Sequence, residues 1–313
     1  MSIRNMSPLV SERRWCCTAT PCVSSPDELR TQLRFLGLSN ALPIMSAALK
    51  CRRPAEFHAA VDFLRKVMCR HRKSQQIGGA AALALPAATT RIVTVAMNAH
   101  ERTVYKATKA NLASRGSLDR FASKGIKPSS FQISVADELL NGPIDSKLEA
   151  LVSDVSALRS REPNMRVVVF TQYTAAHSAC VEALKRAGIH TLKFSGATAA
   201  SQRDKAIRLF QTPEQGAMAF VITLRAGSVG MTLTAASKVY LMEPSLNPAT
   251  EIQAAGRINR LGQTASVEVV KFAYKDTFET NILRFHRKIE EGKASMSDSL
   301  IPTESIKILI KGL

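Results

Sequence analysis

The sequence predicts an α/β fold in which helices cover both faces of a parallel sheet. Three observations support this prediction. From about residue 146, short apolar runs alternate with amphipathic helical segments, an order typical of parallel sheets. A capping box opens the first of these helices, and Gly188 ends the second, so that both helices have defined limits.

The elements of this region follow one another regularly and make a three-layer domain with about five strands. Ser146 and Glu149 form the predicted capping box, because serine and glutamate at this spacing satisfy each other's backbone N–H groups. One apolar helix face follows, made of Leu148, Leu151, Val152, Val155 and Leu158. We predict strands at residues 167–170, 189–194, 219–223, 239–242 and 267–272, and further helices at residues 174–187, 198–211 and 248–261.

The residues before 146 are less regular and predict a mostly helical segment. Ser25 and Glu28 form a capping box, Pro26 occupies the first helical position, and Gly37 closes this first helix. Further helices are predicted at residues 55–70 and 100–114, with one strand at residues 92–97. The polar, glycine-containing stretch 114–142 is predicted to link the two parts of the chain.

A strong positive charge is the main signal of the composition. The 313 residues carry 43 Lys and Arg against 25 Asp and Glu, a net charge of +18. Such an excess favours polyanions through counterion release, so nucleic acid is the leading partner. An anionic membrane surface and a merely basic soluble protein are the alternatives.

The cysteine pattern and the apolar runs exclude several classes of protein. The six cysteines form no C-x-x-C pair and no metal-ligand spacing with histidine, so neither a zinc site nor a disulfide framework is predicted. No apolar run approaches the length of a membrane span, and the N-terminal residues do not resemble a signal peptide. We therefore expect no membrane partner and residence in the cytosol or the nucleus.

Two arginines near the C-terminal end indicate chemistry on an anion. Residues 253–264 read QAAGRINRLGQT and lie within the predicted helix 248–261. Arg257 and Arg260 are three residues apart and would share one helix face, so both can reach a single anionic group. We interpret that group as a nucleotide γ-phosphate, whose developing charge an arginine finger stabilises during phosphoryl transfer.

The surface that would hold the nucleotide opposite these arginines is missing from the sequence. A phosphate loop requires the pattern G-x-x-x-x-G-K-[ST], and no Gly-Lys-Ser or Gly-Lys-Thr occurs in the chain. Asp137 and Glu138 could be mistaken for magnesium-binding acids, but no phosphate loop precedes them, and we interpret them as a solvated helix start.

The ordered blocks of the C-terminal part resemble a known lobe. VVVFTQYT at 167–174, LKFSGATAASQRDKAIRLF at 192–210 and the loop 223–234 are followed by VYLMEPSLNPATEIQAAGRINRLGQT at 239–264. Together they resemble motifs four to six in the C-terminal RecA-like lobe of Swi/Snf-type helicase-like ATPases of superfamily two. MEPSLNPA is close to the subgroup that carries SNF, linker-histone, plant-homeodomain and RING segments.

The resemblance extends upstream and implies a division into four parts. RRWCCTATPCVSSPDELRTQLRFLGL at 13–38 is similar to the family's motif three, which ends the first lobe. The implied parts are the tail of lobe one at 1–40, a helical inter-lobe segment and linker at 41–145, the C-terminal RecA-like lobe at 146–291, and a tail at 292–313. The family's ATPase would then be represented by an intact second lobe and a remnant of the first.

The resemblance also implies roles for individual residues, with no metal ligand among them. Arg257 and Arg260 would be the arginine fingers, and Gln253, Gly227 and Gly230 would lie near the cofactor. DNA-backbone contacts would come from Thr171, Gln172, Ser195, Gly196 and Thr234, because short hydroxyl and glycine residues expose N–H groups to phosphates. Ordinary tight turns for the glycines, helix capping for Thr171 and Ser195, and a salt-bridged face for the arginines are the alternative interpretations.

The chain departs from the family pattern at a few positions. Ala19 stands where the family usually has glycine, Thr232 where asparagine is common, and Asn259 where histidine is common. These departures bear on how efficiently DNA and nucleotide are coupled, but they remove neither arginine.

The resemblance implies a double-stranded-DNA translocase or chromatin remodeller whose ATP and Mg²⁺ are held mainly by a lobe missing from this chain. The chain alone is expected not to hydrolyse ATP. An incomplete gene, a split enzyme with lobe one as a separate partner chain, and a decayed paralogue are the open origins. A non-enzymatic DNA or chromatin adaptor and a small-molecule transferase are the rival functions. Nuclear residence follows from the resemblance, and cytosolic residence if the source is not eukaryotic.

Overall fold

The structure is a computed structural model that describes residues 11–18, 28–43, 54–69, 75–81, 85–114, 141–196, 198–212, 216–227 and 231–291. The described residues form two compact units, a smaller one within residues 1–83 and a larger one within residues 84–294. No described helix is both long and apolar enough to cross a lipid bilayer.

The smaller unit consists of short helices around a small apolar cluster. Helix α1 (Glu28–Phe35) is followed by a 3₁₀ turn (Ser39–Ala41), helix α2 (Pro54–Val67) and a hairpin of strands β1 (Gln76–Ile77) and β2 (Ala80–Ala81). Leu29, Leu33 and Ala60 form the buried cluster. Gly37 adopts a φ of +78° after α1, as the sequence predicts for a helix end. The predicted capping residues Ser25 and Pro26 lie outside the described residues.

The larger unit alternates strands and helices. Its strands are β3 (Ala88–Val95), β4 (Arg166–Thr171), β5 (His190–Phe194), β6 (Met218–Thr223), β7 (Lys238–Leu241) and β8 (Val267–Tyr274). Its helices are α3 (Ala99–Ser114), α4 (Asp145–Arg161), α5 (Thr174–Arg186), α6 (Ala200–Gln211), α7 (Leu224–Gly227), α8 (Pro248–Ala255) and α9 (Phe278–Glu290).

These strands form one parallel sheet in the order β3-β8-β7-β4-β6-β5. The five predicted strands are confirmed, and the predicted α/β fold with them. The sixth strand, β3, comes from the segment that the sequence analysis placed before the domain, and it pairs with β8 along its whole length. The pairing shows that the sheet includes residues well before 146.

Apolar layers on the two faces of the sheet explain its three-layer form. On one face, Leu151 and Val155 of α4 and Leu184 of α5 pack against the strands. On the other face, Phe210 of α6 and Ile258 after α8 pack against them. Strands β4, β6 and β7 are buried at every residue, as central strands of a parallel sheet require.

The start of helix α4 differs from the prediction. The helix begins at Asp145, and its N-cap residue Ile144 makes no side-chain capping bond. Ser146 instead donates from its backbone N–H and its hydroxyl to Glu101 of α3, at 2.8 and 2.6 Å. The predicted capping box with Glu149 is therefore wrong, because a carboxylate from a distant helix takes the donors that a local glutamate would otherwise accept.

A buried arginine closes the end of helix α6. Arg166 at the start of β4 is only 4% exposed, and it donates to the carbonyl oxygens of Phe210 at 2.9 Å, Thr212 at 2.5 Å and Gly216. The last carbonyls of a helix have no partner within the helix, so a cation there satisfies them and complements the helix dipole. Arg166 thereby attaches the C-terminal end of α6 to the central strand.

Candidate functional site

Several of the predicted site residues follow the carboxyl ends of strands in the larger unit. Thr171 ends β4 and Gln172 follows it, while Ser195 and Gly196 follow β5. Because the strands are parallel, their carboxyl ends lie along one edge of the sheet, where α/β folds usually bind ligands. The structure therefore brings these predicted DNA-contacting residues to a common edge.

The two arginines lie in a turn rather than on a helix. Helix α8 begins with Asn247 as N-cap and Pro248 in the first position, and it ends at Ala255. The predicted helix over 248–261 is therefore wrong in its second half, and residues 256–263 form a turn that we call the arginine turn. After Ala255 the hydrogen bonds tighten to i→i−3 bonds, from the Arg257 N–H to the Ala254 carbonyl at 3.0 Å and from the Ile258 N–H to the Ala255 carbonyl at 3.1 Å. The Arg257 carbonyl accepts the N–H of Leu233 at 2.9 Å, which is a tertiary contact.

The arginine turn nevertheless leaves the charges of the two arginines near enough to influence each other. Arg257 is 8% exposed, and burial together with the charge of Arg260 lowers its pKa. Arg260 is half-buried and donates from Nε to the Gly256 carbonyl at 2.8 Å. Its Nη1 donates to the Met231 carbonyl at 3.1 Å and to the Thr232 hydroxyl at 3.4 Å. Because two positive charges in one turn repel each other and an anion would relieve that repulsion, the turn is a candidate anion site.

The remaining residues predicted near the cofactor are only partly described. Gln253 is half-buried on α8, one helical turn before Arg257. Gly227 ends the short helix α7, while Gly230 lies outside the described residues. Among the parts of the chain that the structure covers, no group of three or more His, Cys, Asp or Glu side chains is placed to hold a metal ion.

The end of β4 is organised by a buried carboxylate that the sequence analysis missed. Glu243 is 1% exposed and accepts the Thr171 hydroxyl at 2.8 Å and the Gln172 N–H at 3.1 Å. Thr171 itself is fully buried, whereas Gln172 is half-buried. Of these two predicted DNA contacts, the structure thus places Gln172 nearer the surface. A charged residue directly after a predicted buried strand was the sequence signal for Glu243.

The titration of Glu243 makes stability depend on pH. Burial raises its pKa from 4.5 to about 7, although the Lys147 charge and the bonds from Gln172 and Thr171 oppose the rise. The folded state therefore binds more protons than the unfolded state between these values, and the free energy of unfolding falls as the pH rises through this window. The contribution is present below about pH 4.5 and lost above about pH 7, on the order of 3 kcal/mol in total.

We expect Glu243→Gln to remove most of this dependence. Urea unfolding at several pH values from 5 to 8 should show the variant gaining stability relative to the wild type as the pH rises. Glu162→Gln is the matched control, because Glu162 is exposed and its replacement should leave the pH dependence unchanged. A constant difference between Glu243→Gln and the wild type across this range would contradict the prediction.

The turn after β5 is short and partly exposed, and an arginine of α6 is bonded to it. The Ser195 N–H donates to the Thr198 hydroxyl at 3.0 Å, and the Thr198 N–H returns a bond to the Ser195 carbonyl at 3.1 Å. Gly196 is exposed, with open space where a Cβ would stand. Arg203 of α6 lies over the Phe194 ring and donates to the carbonyls of Thr198 and Gly196, at 2.7 and 3.3 Å. We call Ser195, Gly196 and Thr198 the β5 turn.

Thr234 lies in a different setting from the other predicted DNA contacts. It belongs to residues 231–235, which precede β7 and which we call the 231–235 segment. Gln211 at the end of α6 donates to the Thr234 hydroxyl at 3.4 Å and accepts the Ala235 N–H at 2.9 Å. Gln211 was not predicted as a site residue, because a glutamine at a helix end carries no distinctive sequence signal.

The start of helix α8 is also held by a residue that the sequence analysis missed. Glu251 is 2% exposed, accepts the Ser245 N–H at 2.7 Å and lies 2.7 Å from the Lys271 ammonium group. These contacts attach the helix that carries Gln253 to strand β8. The sequence offered no signal, because an acidic residue in the first turn of a helix is common.

The six-stranded parallel sheet with helices on both faces is a RecA-like α/β fold, the class of domain that forms the C-terminal lobe of helicase-like ATPases. Residues 146–262 match the helicase conserved C-terminal domain, and residues 2–144 match the SNF2-related domain. The chain belongs to the Swi/Snf-type helicase-like ATPases, as its motifs indicated.

Individual relatives agree with this assignment. The human "Helicase-like transcription factor" is 38% identical over 147 residues, which cover 47% of this chain and 15% of that protein. "DNA repair protein RAD5" of Gibberella zeae is 38% identical over 155 residues, which cover 50% of this chain and 13% of that protein. The chain thus spans a small part of the length of these relatives.

A solved structure shares the fold. The Sulfolobus solfataricus SWI2/SNF2 ATPase core in complex with double-stranded DNA matches with a TM-score of 0.54 and 20% identity, over 93% of this chain and 65% of that chain. At this level of identity the likeness concerns the fold alone.

Proposed function

We propose that this chain supplies the arginine-bearing, DNA-contacting half of an ATP-dependent double-stranded-DNA translocase or chromatin remodeller of the Swi/Snf type. The meeting of Arg257 and Arg260 in one turn is the observation that carries the proposal. The pKa of Arg257 is lowered by burial and by its neighbour, so an anion beside the pair would relieve both effects.

These arginines fit the phosphates of ATP, the nucleotide of this family. The Nε and Nη1 atoms of Arg260 hold its side chain in place through hydrogen bonds to Gly256, Met231 and Thr232. Among the described residues nothing accepts a hydrogen bond from its Nη2, which is therefore available to a ligand. Arg257 and Arg260 would stabilise the charge on the transferring phosphoryl group, and Gln253 would border the nucleotide. Mg²⁺ would be held mainly by a lobe outside this chain, since no phosphate loop occurs in its sequence.

Double-stranded DNA is the proposed polymer substrate. The net charge of +18 favours a polyanion, and a solved neighbour with the same fold was determined in complex with double-stranded DNA. The β5 turn is suited to a phosphate backbone, because it combines the exposed Gly196 and small hydroxyl residues with the nearby charge of Arg203, and it has no side chains that read bases. A role in the nucleus, in repair or remodelling, is proposed from the relatives.

We expect the purified chain to bind duplexes of unrelated sequence with equal affinity and strong salt dependence. With about three phosphate contacts, affinity should fall on the order of 40-fold between about 50 and 200 mM salt. Fluorescence anisotropy with two labelled duplexes of different sequence measures both quantities. Preference for one duplex, or binding that does not change with salt, would contradict the proposal.

Hydrolysis distinguishes the proposed translocase from a non-enzymatic DNA or chromatin adaptor. We expect the chain alone to turn over ATP negligibly and to support DNA-stimulated turnover when the magnesium-binding lobe is added as a separate chain. Duplex binding without turnover in that mixture would favour the adaptor, which the missing phosphate loop also allows.

A further inference from the structure

We propose that helix α6 connects the DNA-contacting β5 turn to the arginine turn, and that Gln211 is the positioning residue at the arginine end of this connection. The inference rests on the proposed function, because it assigns a route between the proposed DNA site and the proposed nucleotide site. It is carried by two sets of hydrogen bonds, one at each end of helix α6 in the larger unit.

The first end of the connection is Arg203. Its Nε and Nη2 donate to the carbonyls of Thr198 and Gly196, and its guanidinium lies 5.0 Å from the centre of the Phe194 ring. One side chain of α6 therefore holds the β5 turn from behind. A phosphate backbone that binds this turn would therefore act on a loop that Arg203 attaches to α6.

The second end is Gln211, the last residue of α6. Its Oε1 accepts the Ala235 N–H at 2.9 Å, which fixes the orientation of the side-chain amide. Its Nε2 then faces the Thr234 hydroxyl and the Thr232 carbonyl, both at 3.4 Å. Gln211 is about 12 Å along the helix from Arg203, at 1.5 Å per residue.

The 231–235 segment joins Gln211 to the arginines. Its Leu233 N–H donates to the Arg257 carbonyl, while its Met231 carbonyl and Thr232 hydroxyl accept from Arg260. Thr232 thus uses its carbonyl toward Gln211 and its hydroxyl toward Arg260. The segment lies between the two, so the position of Arg260 depends on how firmly Gln211 holds the segment.

Helix α6 is a suitable connection because its body is fixed. Phe210 is fully buried against the sheet, 5.4 Å from Phe220 between ring centres, and Arg166 holds the helix end. By comparison, the side chain of Gln211 makes three hydrogen bonds, of which two are exposed and one is partly buried. We therefore expect the contact at Gln211, rather than the helix, to open when the connection is broken.

Hydrogen exchange of single amides tests this role directly. In Gln211→Ala without DNA, the Leu233 and Ala235 amides should exchange about tenfold faster than in the wild type, because the segment has lost its hydrogen bonds to α6. The arginine turn should also exchange faster, while amides of the central strand β4 stay unchanged. Gln202→Ala is the matched control, since Gln202 is exposed on the first turn of the same helix and should behave as the wild type.

The conservative variant Gln211→Glu separates the effect of the lost hydrogen bonds from the effect of the lost side-chain volume. A glutamate keeps an acceptor for the Ala235 N–H but loses the donors to Thr232 and Thr234, so Ala235 should stay protected while the arginine turn exchanges faster. Unchanged exchange in the arginine turn of Gln211→Ala would overturn the proposal, as would faster exchange at β4 to the same extent.

Repeating the hydrogen-exchange experiment with duplex DNA tests the connection through α6 separately from the proposed function. Duplex DNA should slow exchange in the arginine turn of the wild type, and in Gln211→Ala a saturating concentration of the same duplex should cause no such slowing. Retained slowing in Gln211→Ala would overturn the connection. If the wild type binds no duplex, the proposed function fails, and the DNA-free comparison still decides whether Gln211 positions the arginine turn.

Discussion

Replacing Lys147 with methionine is expected to destabilise the larger unit by about 3 to 5 kcal/mol, the usual effect of breaking a buried ion pair. Lys147 is fully buried, and its ammonium group lies 2.6 and 2.7 Å from the two carboxylate oxygens of Glu279. It also donates to the Met242 carbonyl at 2.9 Å and lies 4.3 Å from the centre of the Tyr274 ring.

The large effect follows from what Lys147→Met leaves behind. Glu279 is 4% exposed, and without the ammonium group its negative charge would stay in a region that water does not reach. The Met242 carbonyl would lose a donor as well. Lys147 belongs to α4, Met242 directly follows β7, and Glu279 belongs to α9. The loss should therefore loosen the contacts among these three elements together.

Chemical denaturation of matched variants measures this effect. Arg186→Met is the control, because Arg186 and Glu182 form an ion pair at 3.0 Å that is exposed on both sides, and breaking such a pair costs about 0 to 1 kcal/mol. Lys147→Met combined with Glu279→Leu should recover much of the lost stability, since no uncompensated charge remains. A Lys147→Met variant as stable as Arg186→Met would show that the buried pair is not a determinant of stability.

Replacing Arg260 with alanine is expected to lower DNA-stimulated ATP turnover by about 10³-fold or more, the range found for arginine fingers in phosphoryl transfer. The prediction concerns the reaction assembled from this chain and the magnesium-binding lobe. Arg260→Lys should be almost as inactive, because lysine has a single nitrogen and cannot hold both the Gly256 and Met231 carbonyls while also reaching a ligand.

Measuring both ATP turnover and duplex affinity separates a loss of the chemical step from a loss of DNA binding. Turnover of Arg260→Ala should fall far more than duplex affinity, because the hydrogen bonds of Arg260 go to Gly256, Met231 and Thr232 and not to Gln172 or the β5 turn. Arg287→Ala is the control, since it removes an equal charge from an exposed position on α9. Turnover within a few-fold of the wild type in both Arg260→Ala and Arg257→Ala would rule out the proposed role of the arginine turn.

Particular residues show how far the sequence predicts the site. The pair of arginines was found from spacing alone, and the structure keeps both in one turn. The helical face expected to unite them does not exist, because α8 ends at Ala255. The roles of Arg257, Arg260 and Gln253 toward a nucleotide stay predictions, as do the DNA contacts of Gln172, Ser195, Gly196 and Thr234.

The residues that the sequence analysis missed share a physical property. Glu251 and Gln211 have ordinary residue types in ordinary positions, and Glu243 is marked only as a charge directly after a buried strand. Each of the three accepts a hydrogen bond from a backbone N–H group outside its own helix or strand. Glu101 behaves in the same way when it caps a helix 45 positions away. Local periodicity carries no information about such partners.

The sequence by itself determined the parallel α/β sheet, the order of five of its six strands along the chain and the family, because burial on both faces of a sheet imposes apolar runs on its strands. Only the tertiary structure decided that β3 extends the sheet, that Glu101 replaces the local cap of α4, and that the arginines stand on a turn held by the 231–235 segment. The reason is that buried backbone donors and acceptors must be satisfied by whichever group lies near in space.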